Sequence, residues 1–75
     1  MPDGNAPQLK LHLQNSQASR LAGNLDEAAK HIAAAFQINS HSVPVLKELG
    51  LLHQQRGEWD EARKFFELVQ TAQPD

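Results

Sequence analysis

A stretch of eight residues occurs twice in this chain. Gly23-Asn24-Leu25-Asp26-Glu27-Ala28-Ala29-Lys30 returns 34 residues later as Gly57-Glu58-Trp59-Asp60-Glu61-Ala62-Arg63-Lys64. Gly, Asp, Glu, Ala and Lys recur in place, and Leu25 is replaced by the bulkier apolar Trp59. A fixed period of this length marks a stacked repeat, in which each unit buries its apolar face only against its neighbour. That constraint precedes any reading of single residues.

The rest of the period reads as helix, turn, helix. Gln8 to Ala22 forms the first helix. Leu11, Ala18, Leu21, Ala22 and then Leu25 fall near one face, with Leu9 and Leu13 on a different side. Its middle is polar, which suits an end helix with one face toward water. Gly23 ends it, because glycine takes a left-handed conformation without steric cost. Asn24 is the expected N-cap of the second helix, with Glu27 three residues on as in a capping box. That helix runs to about Ile38, and its stripe Leu25, Ala29, Ile32, Phe36 is expected to dock on Val45, Leu49 and Leu52 of the third. Pro44 sits in the first turn of the third helix, where its missing N–H costs nothing. Gly57 stops that helix, and Glu58, a poor N-cap, starts the fourth. Trp59, Ala62, Phe66 and Val69 make the expected inner stripe of the fourth helix, which ends near Ala72, before Pro74.

Composition excludes more than it assigns. The net charge is -2, from seven Lys/Arg and nine Asp/Glu scattered along the chain, so no basic block awaits a phosphate backbone and nucleic acid is not an expected partner. There is no cysteine, which removes disulfides, thiol catalysis and thiolate metal sites but leaves the compartment open, with the cytoplasm favoured. No apolar run approaches a membrane span, so a soluble chain without membrane insertion is expected. His12, His31, His41 and His53 include no pair at the i, i+4 spacing that sets two ligands on one helix face, so no metal site is expected. Asp26/Glu27 and Asp60/Glu61 lie at helix N-termini, where dipole and capping account for them without catalysis. With no nucleophile motif and no phosphate-binding glycine loop, the chain reads as a non-enzyme without a cofactor.

The motif around the repeat is Leu46-x-x-Leu49-Gly50-x-x-His53, then Ala62-x-x-x-Phe66 and Pro74. With the 34-residue period, it resembles the tetratricopeptide repeat, Leu46 and His53 standing where that family has aromatics. In the first half the pattern is weaker: His12-x-x-Asn15-Ser16-x-x-Ser19, then Ala28-x-x-x-Ile32 and Ser40. Small residues stand where the helices must touch, Ser16 with Ala28 and Ala35, and Gly50 with Ala62.

The resemblance implies an all-α, alpha-alpha superhelix of two stacked antiparallel helix pairs, wound right-handed. Residues 1–7 are then a disordered tail, and residues 8–75 a domain with repeats at 9–42 and 43–75. It implies a protein–protein interaction module that binds a peptide or helix of a partner on its concave face. Mapped onto this chain, that face offers Lys10, Leu13, Gln17, Arg20 and Leu21, then Lys47, Leu51, Gln54 and Gln55. An apolar anchor with an acidic group held by Arg20 or Lys47 is the expected ligand. Chaperone-binding members clamp a C-terminal carboxylate with Lys and Asn residues. The matching positions here are Leu13 and Gln17, so the resemblance does not extend to that clamp.

Two alternatives stand beside this. Two repeats fall below the roughly three that a solenoid usually needs, which favours a homo-oligomerisation module pairing through Trp59, Phe65, Phe66 and Leu68. The fourth helix also carries polar Arg63 and Gln70 in its docking stripe, as at the end of an array, although a piece of a longer array reads the same way.

Overall fold

The computed structural model describes residues 6–72. Four helices follow one another: α1 (Ala6–Leu21), α2 (Leu25–Ile38), α3 (Val43–Gln55) and α4 (Trp59–Ala72). α1 packs against α2, α3 against α4, and α3 also touches α1 and α2. The shortest dimension is 17 Å, two helix layers at their usual spacing of about 8–10 Å. α1 begins two residues earlier than expected, with Pro7 in its first turn, where proline's fixed φ suits a helix start. Most of the expected tail, residues 1–5, lies outside the described residues, as do residues 73–75.

The repeated glycines make the same turn twice. Gly23 and Gly57 have φ of 85° and 78°, the left-handed region open to a residue without Cβ. At each turn the glycine N–H donates to a carbonyl three residues back at 3.0 Å, Gly23 to Arg20 and Gly57 to Gln54. The next N–H reaches five residues back at 2.8 Å, Asn24 to Ser19 and Glu58 to His53. This is a Schellman closure, which satisfies helix carbonyls that otherwise lack donors.

That closure also corrects the expected capping box. Asn24 is the N-cap of α2, but its side chain makes no capping hydrogen bond. Its backbone N–H, which Glu27 would have to accept, is already given to Ser19. One residue ends one helix and starts the next, and the turn takes the donor.

The core sits between α2 and α3. Ala28, Ile32 and Ala35 of α2 meet Val45, Leu49 and Leu52 of α3, and Leu25, Ala29 and Phe36 pack around them. The expected docking of the second helix on the third is therefore observed, with the alanines at its centre. α1 differs from its apolar pattern. Leu11 is 54% and Leu21 77% exposed, and Ala18 and Ala22 also face solvent. Leu9 and Leu13 pack on the core instead, and fully buried Ser16 lies between α1 and α2. The packing face of α1 includes polar groups that find partners, so periodicity in apolar residues marks the wrong side. The expected inner stripe of α4 is also mostly open: Ala62 is buried, Phe66 and Val69 are half-buried, and Trp59 is 63% exposed.

Candidate partner-binding surfaces

Three polar contacts fix the surfaces. The Ser16 hydroxyl donates to the Ala28 carbonyl at 3.1 Å, holding α1 close to α2. At the corresponding place between α3 and α4 stands Gly50. A Cβ there would lie 2.6 Å from the Phe66 ring, so the missing side chain makes room for that ring.

The second contact joins the repeats. Arg20 of α1 donates from Nε to Glu48 Oε2 at 2.5 Å and from Nη2 to Oε1 at 3.3 Å. Glu48 is only 2% exposed. A two-pronged guanidinium–carboxylate pair suits such burial, since each group meets the other's geometry. Arg20 is thus committed within the fold and is not a free cation for a ligand. The Gln55 side chain adds a hydrogen bond to the Arg20 carbonyl at 3.3 Å.

The third contact closes the second turn. His53 Nδ1 donates to Glu58 Oε1 at 2.6 Å, and Arg56 Nε lies 3.7 Å from Glu58 Oε2. The hydrogen bond from His53, aided by the charge of Arg56, holds the Glu58 carboxyl below the ordinary glutamate range despite some desolvation. The same His53 ring stacks on Phe65, centroids 5.4 Å apart and 5° from parallel. Phe65 in turn meets Phe36 edge-on at 6.5 Å. A histidine at an aromatic position therefore fills an aromatic's place. His12 and His31 face each other across α1 and α2, with Nδ1 atoms 3.5 Å apart. Among the described residues, no group of three or more His, Cys, Asp or Glu is arranged to hold a metal ion.

Two hollows result. The first, of about 450 Å³, lies between α1 and α3 and is lined by Gln17, Arg20, Val43, Lys47, Glu48 and Leu51 among others. It gathers four of the nine residues assigned to the concave face: Gln17, Arg20, Lys47 and Leu51. Lys10 is exposed outside it, Leu13 is drawn to the core, and exposed Leu21 lies off it. Gln54 lines the other hollow, and Gln55 is engaged with Arg20.

The second hollow is larger, about 630 Å³, and runs along α4 with Lys47 and Gln54 of α3 on one side. Trp59, Ala62, Phe66 and Val69 form its apolar floor, and Arg63 and Gln70 stand on the helix beside them. The sequence names Trp59 and Phe66, as an inner stripe and as part of a self-association surface, but not the groove, which needs Lys47 and Gln54 of α3 as its other side. The four residues proposed for self-association do not form one patch. Trp59 and Phe66 line the groove, Phe65 is held between Phe36 and His53, and exposed Leu68 is not among the lining residues.

Among the described residues, no helix is long and apolar enough to cross a membrane. No solved structure matches the chain. Among curated proteins, it is 34% identical over 73 residues to cellulose synthase operon protein C of Komagataeibacter xylinus, covering 97% of this chain. The protein of the same name from Komagataeibacter sucrofermentans is 33% identical over 73 residues. Cellulose synthase 1 operon protein C of Komagataeibacter xylinus is 36% identical over 53 residues, 71% of this chain. The chain spans about 6% of the length of the first two relatives and 4% of the third. The tetratricopeptide-repeat family model matches residues 19–75, which takes in both glycine turns and three of the four helices whole. The period, the paired Schellman turns and this match agree, and the chain belongs to the tetratricopeptide-repeat family.

Proposed function

We propose that the chain is a non-enzymatic protein-binding module that receives a peptide or helix of a partner protein on its α1/α3 face. The observation that carries the reading is the hollow between those helices, where Gln17, Lys47 and Leu51 surround the buried Arg20–Glu48 pair. Leu51 offers an apolar anchor point and Lys47 a cation, so the ligand is a segment with one apolar side chain near an acidic group. Because Arg20 is spent on Glu48, Lys47 is the cation that holds the acidic group. The likeness to cellulose synthase operon proteins suggests that the natural ligand belongs to the machinery of cellulose production.

The test is selection of binders from a random peptide library on the full chain, followed by affinity measurement on variants. Gln17→Glu with Leu51→Glu is expected to weaken the selected peptides at least about tenfold, roughly 1.4 kcal/mol. Arg63→Glu on α4 is expected to leave them unchanged. Peptides that ignore Leu51 and Gln17 would place binding elsewhere.

A further inference from the structure

The first helix pair puts two histidines where the second puts hydrocarbon. His12 and His31 correspond, 34 residues on, to Leu46 and Phe65. Leu46 is buried and Phe65 packs on the core, so the fold asks only for apolar bulk at these places. His12 also precedes the residues that the family model matches. The pair is a property of this chain and not of the repeat.

No helix holds two histidines, but α1 and α2 bring one each together. Their Nδ1 atoms lie 3.5 Å apart, closer than the ring centroids at 5.7 Å, so each ring turns Nδ1 toward the other. The far nitrogen of His31 has a different neighbour. Glu27 Oε2, one turn earlier on α2, stands 3.7 Å from His31 Nε2. That is too long for a hydrogen bond, but the negative charge favours the tautomer that keeps its hydrogen on Nε2. Nδ1 of His31 is then a bare lone pair facing α1, and the Nδ1–H of His12 points at it. A carboxylate behind the outer nitrogen is the arrangement that orients metal-binding imidazoles.

The spacing of the nitrogens discriminates between metals. At a metal–nitrogen length of about 2.0–2.1 Å, nitrogens 3.5 Å apart subtend about 115° at an ion, near the tetrahedral angle that zinc takes. The square arrangement of copper(II) needs a spacing of about 2.9 Å. Each ring has to turn by about 30° to aim its lone pair at the ion, within the broad torsional well of a histidine ring. The ion replaces the proton between the rings, and His12 passes to the tautomer with its hydrogen on Nε2. The side chains of His31 and Glu27 are 27% and 55% exposed, so water reaches the ion and fills the other two of its four positions.

We infer that His12 and His31 form a zinc site that staples α1 to α2. Binding needs both helices in place, so it stabilises the docked state of α1. α1 is the least amphipathic of the four helices, and it carries Gln17 and Arg20 to the α1/α3 hollow. Neither histidine lines that hollow, so zinc fixes one of its walls without entering it.

The test is titration of the full, untagged chain with zinc, followed by calorimetry and by the nitrogen resonances of the imidazoles. One ion per chain is expected, with the Nδ1 signals of His12 and His31 moving together and those of His41 and His53 staying in place. At free zinc about ten times its Kd, Tm is expected to rise by about 5–10 °C. His12→Gln and His31→Gln are each expected to abolish both effects, and His41→Gln to keep them. Glu27→Gln is expected to weaken binding about tenfold with the stoichiometry still at one. The resonances are read on the parent chain, so a variant that fails to fold leaves the test intact. Absence of binding, movement of the Nε2 signals in place of Nδ1, or binding that survives His12→Gln or His31→Gln would overturn the site. Loss of binding in His41→Gln would also overturn it, by making the exposed loop the seat of the ion.

Discussion

The two helix pairs are copies in backbone and not in filling. Both turns close through the same pair of hydrogen bonds at the same lengths. Between the helices, the first pair uses Ser16 with Ile32 and the second uses Gly50 with Phe66, each 34 residues apart. The serine adds a hydroxyl and bonds the Ala28 carbonyl; the glycine subtracts a side chain and admits an aromatic ring. The comparison teaches that the joint conserves volume and polar satisfaction, and that residue identity follows from both. The outer surfaces then diverge among the described residues, where α3 covers the first pair and no element covers the second.

The sharpest break falls at the cover. Arg20–Glu48 has no counterpart at the open end, where Gln54 takes the place of Arg20. Glu48→Ala leaves the guanidinium without its partner and is expected to cost about 3–5 kcal/mol. In a domain this small that approaches the whole stability, so urea titration should show a largely unfolded chain. Arg20→Met with Glu48→Leu removes both charges and is expected to recover most of the loss. If the double variant were no better than the single, packing at that site and not the stranded charge would hold the joint.

Exchanging the fillings sharpens the comparison. Gly50→Ser alone drives a side chain into the Phe66 ring and is expected to cost about 1–3 kcal/mol. Adding Phe66→Ile writes the first pair's solution into the second, and the introduced hydroxyl can then reach the Ala62 carbonyl. Most of the loss should return, and denaturant midpoints for the two single variants and the double give the coupling. Ser16→Ala is the milder counterpart. It removes one buried hydrogen bond without adding volume and is expected to cost about 1 kcal/mol. A loss equal to that of Gly50→Ser would mean the hydroxyl is needed for more than this one bond.

These cases also show which parts of the molecule are legible in the sequence. The period, the glycine turns, the four helices and the α2–α3 core rest on backbone needs and apolar spacing, and both are written locally. Phe65 is not: read from the sequence as part of a self-association surface, it stacks on His53 of α3 and meets Phe36 of α2 instead. The Arg20–Glu48 pair is not, because a buried charge looks like a surface charge until its partner, 28 residues away, is known. Apolar spacing hides the packing face of α1 by the same cause, although the small-residue pattern does place Ser16 against Ala28. The α4 stripe is legible, and so are the polar Arg63 and Gln70 within it, but the hollow it makes with Lys47 and Gln54 of α3 is not. Whether a stripe is covered depends on the next element, which no property of Trp59 or Phe66 encodes.

The smallest effect distinguishes the two turns. Both have the same backbone closure, and the first also takes a hydrogen bond from the Gln55 side chain to the Arg20 carbonyl, but the second pairs two of its own side chains, His53 with Glu58. The folded chain holds the Glu58 carboxyl below its ordinary range, so it favours the ionised form. Such a group contributes stability that is complete above the unfolded value and is lost as pH falls through the lower folded value. Glu58→Gln should therefore destabilise the chain slightly at neutral pH, and the gap to the parent should close in acid, below the usual glutamate range. The parallel change at the first turn, Asn24→Gln, removes no side-chain capping bond and has no titrating group, so its effect should be flat with pH. Thermal unfolding of parent and both variants across the acidic range checks this. A gap for Glu58→Gln that persists after the carboxylate is neutralised would mean that His53 is held by shape and stacking on Phe65, and that the second turn gains nothing from its charge.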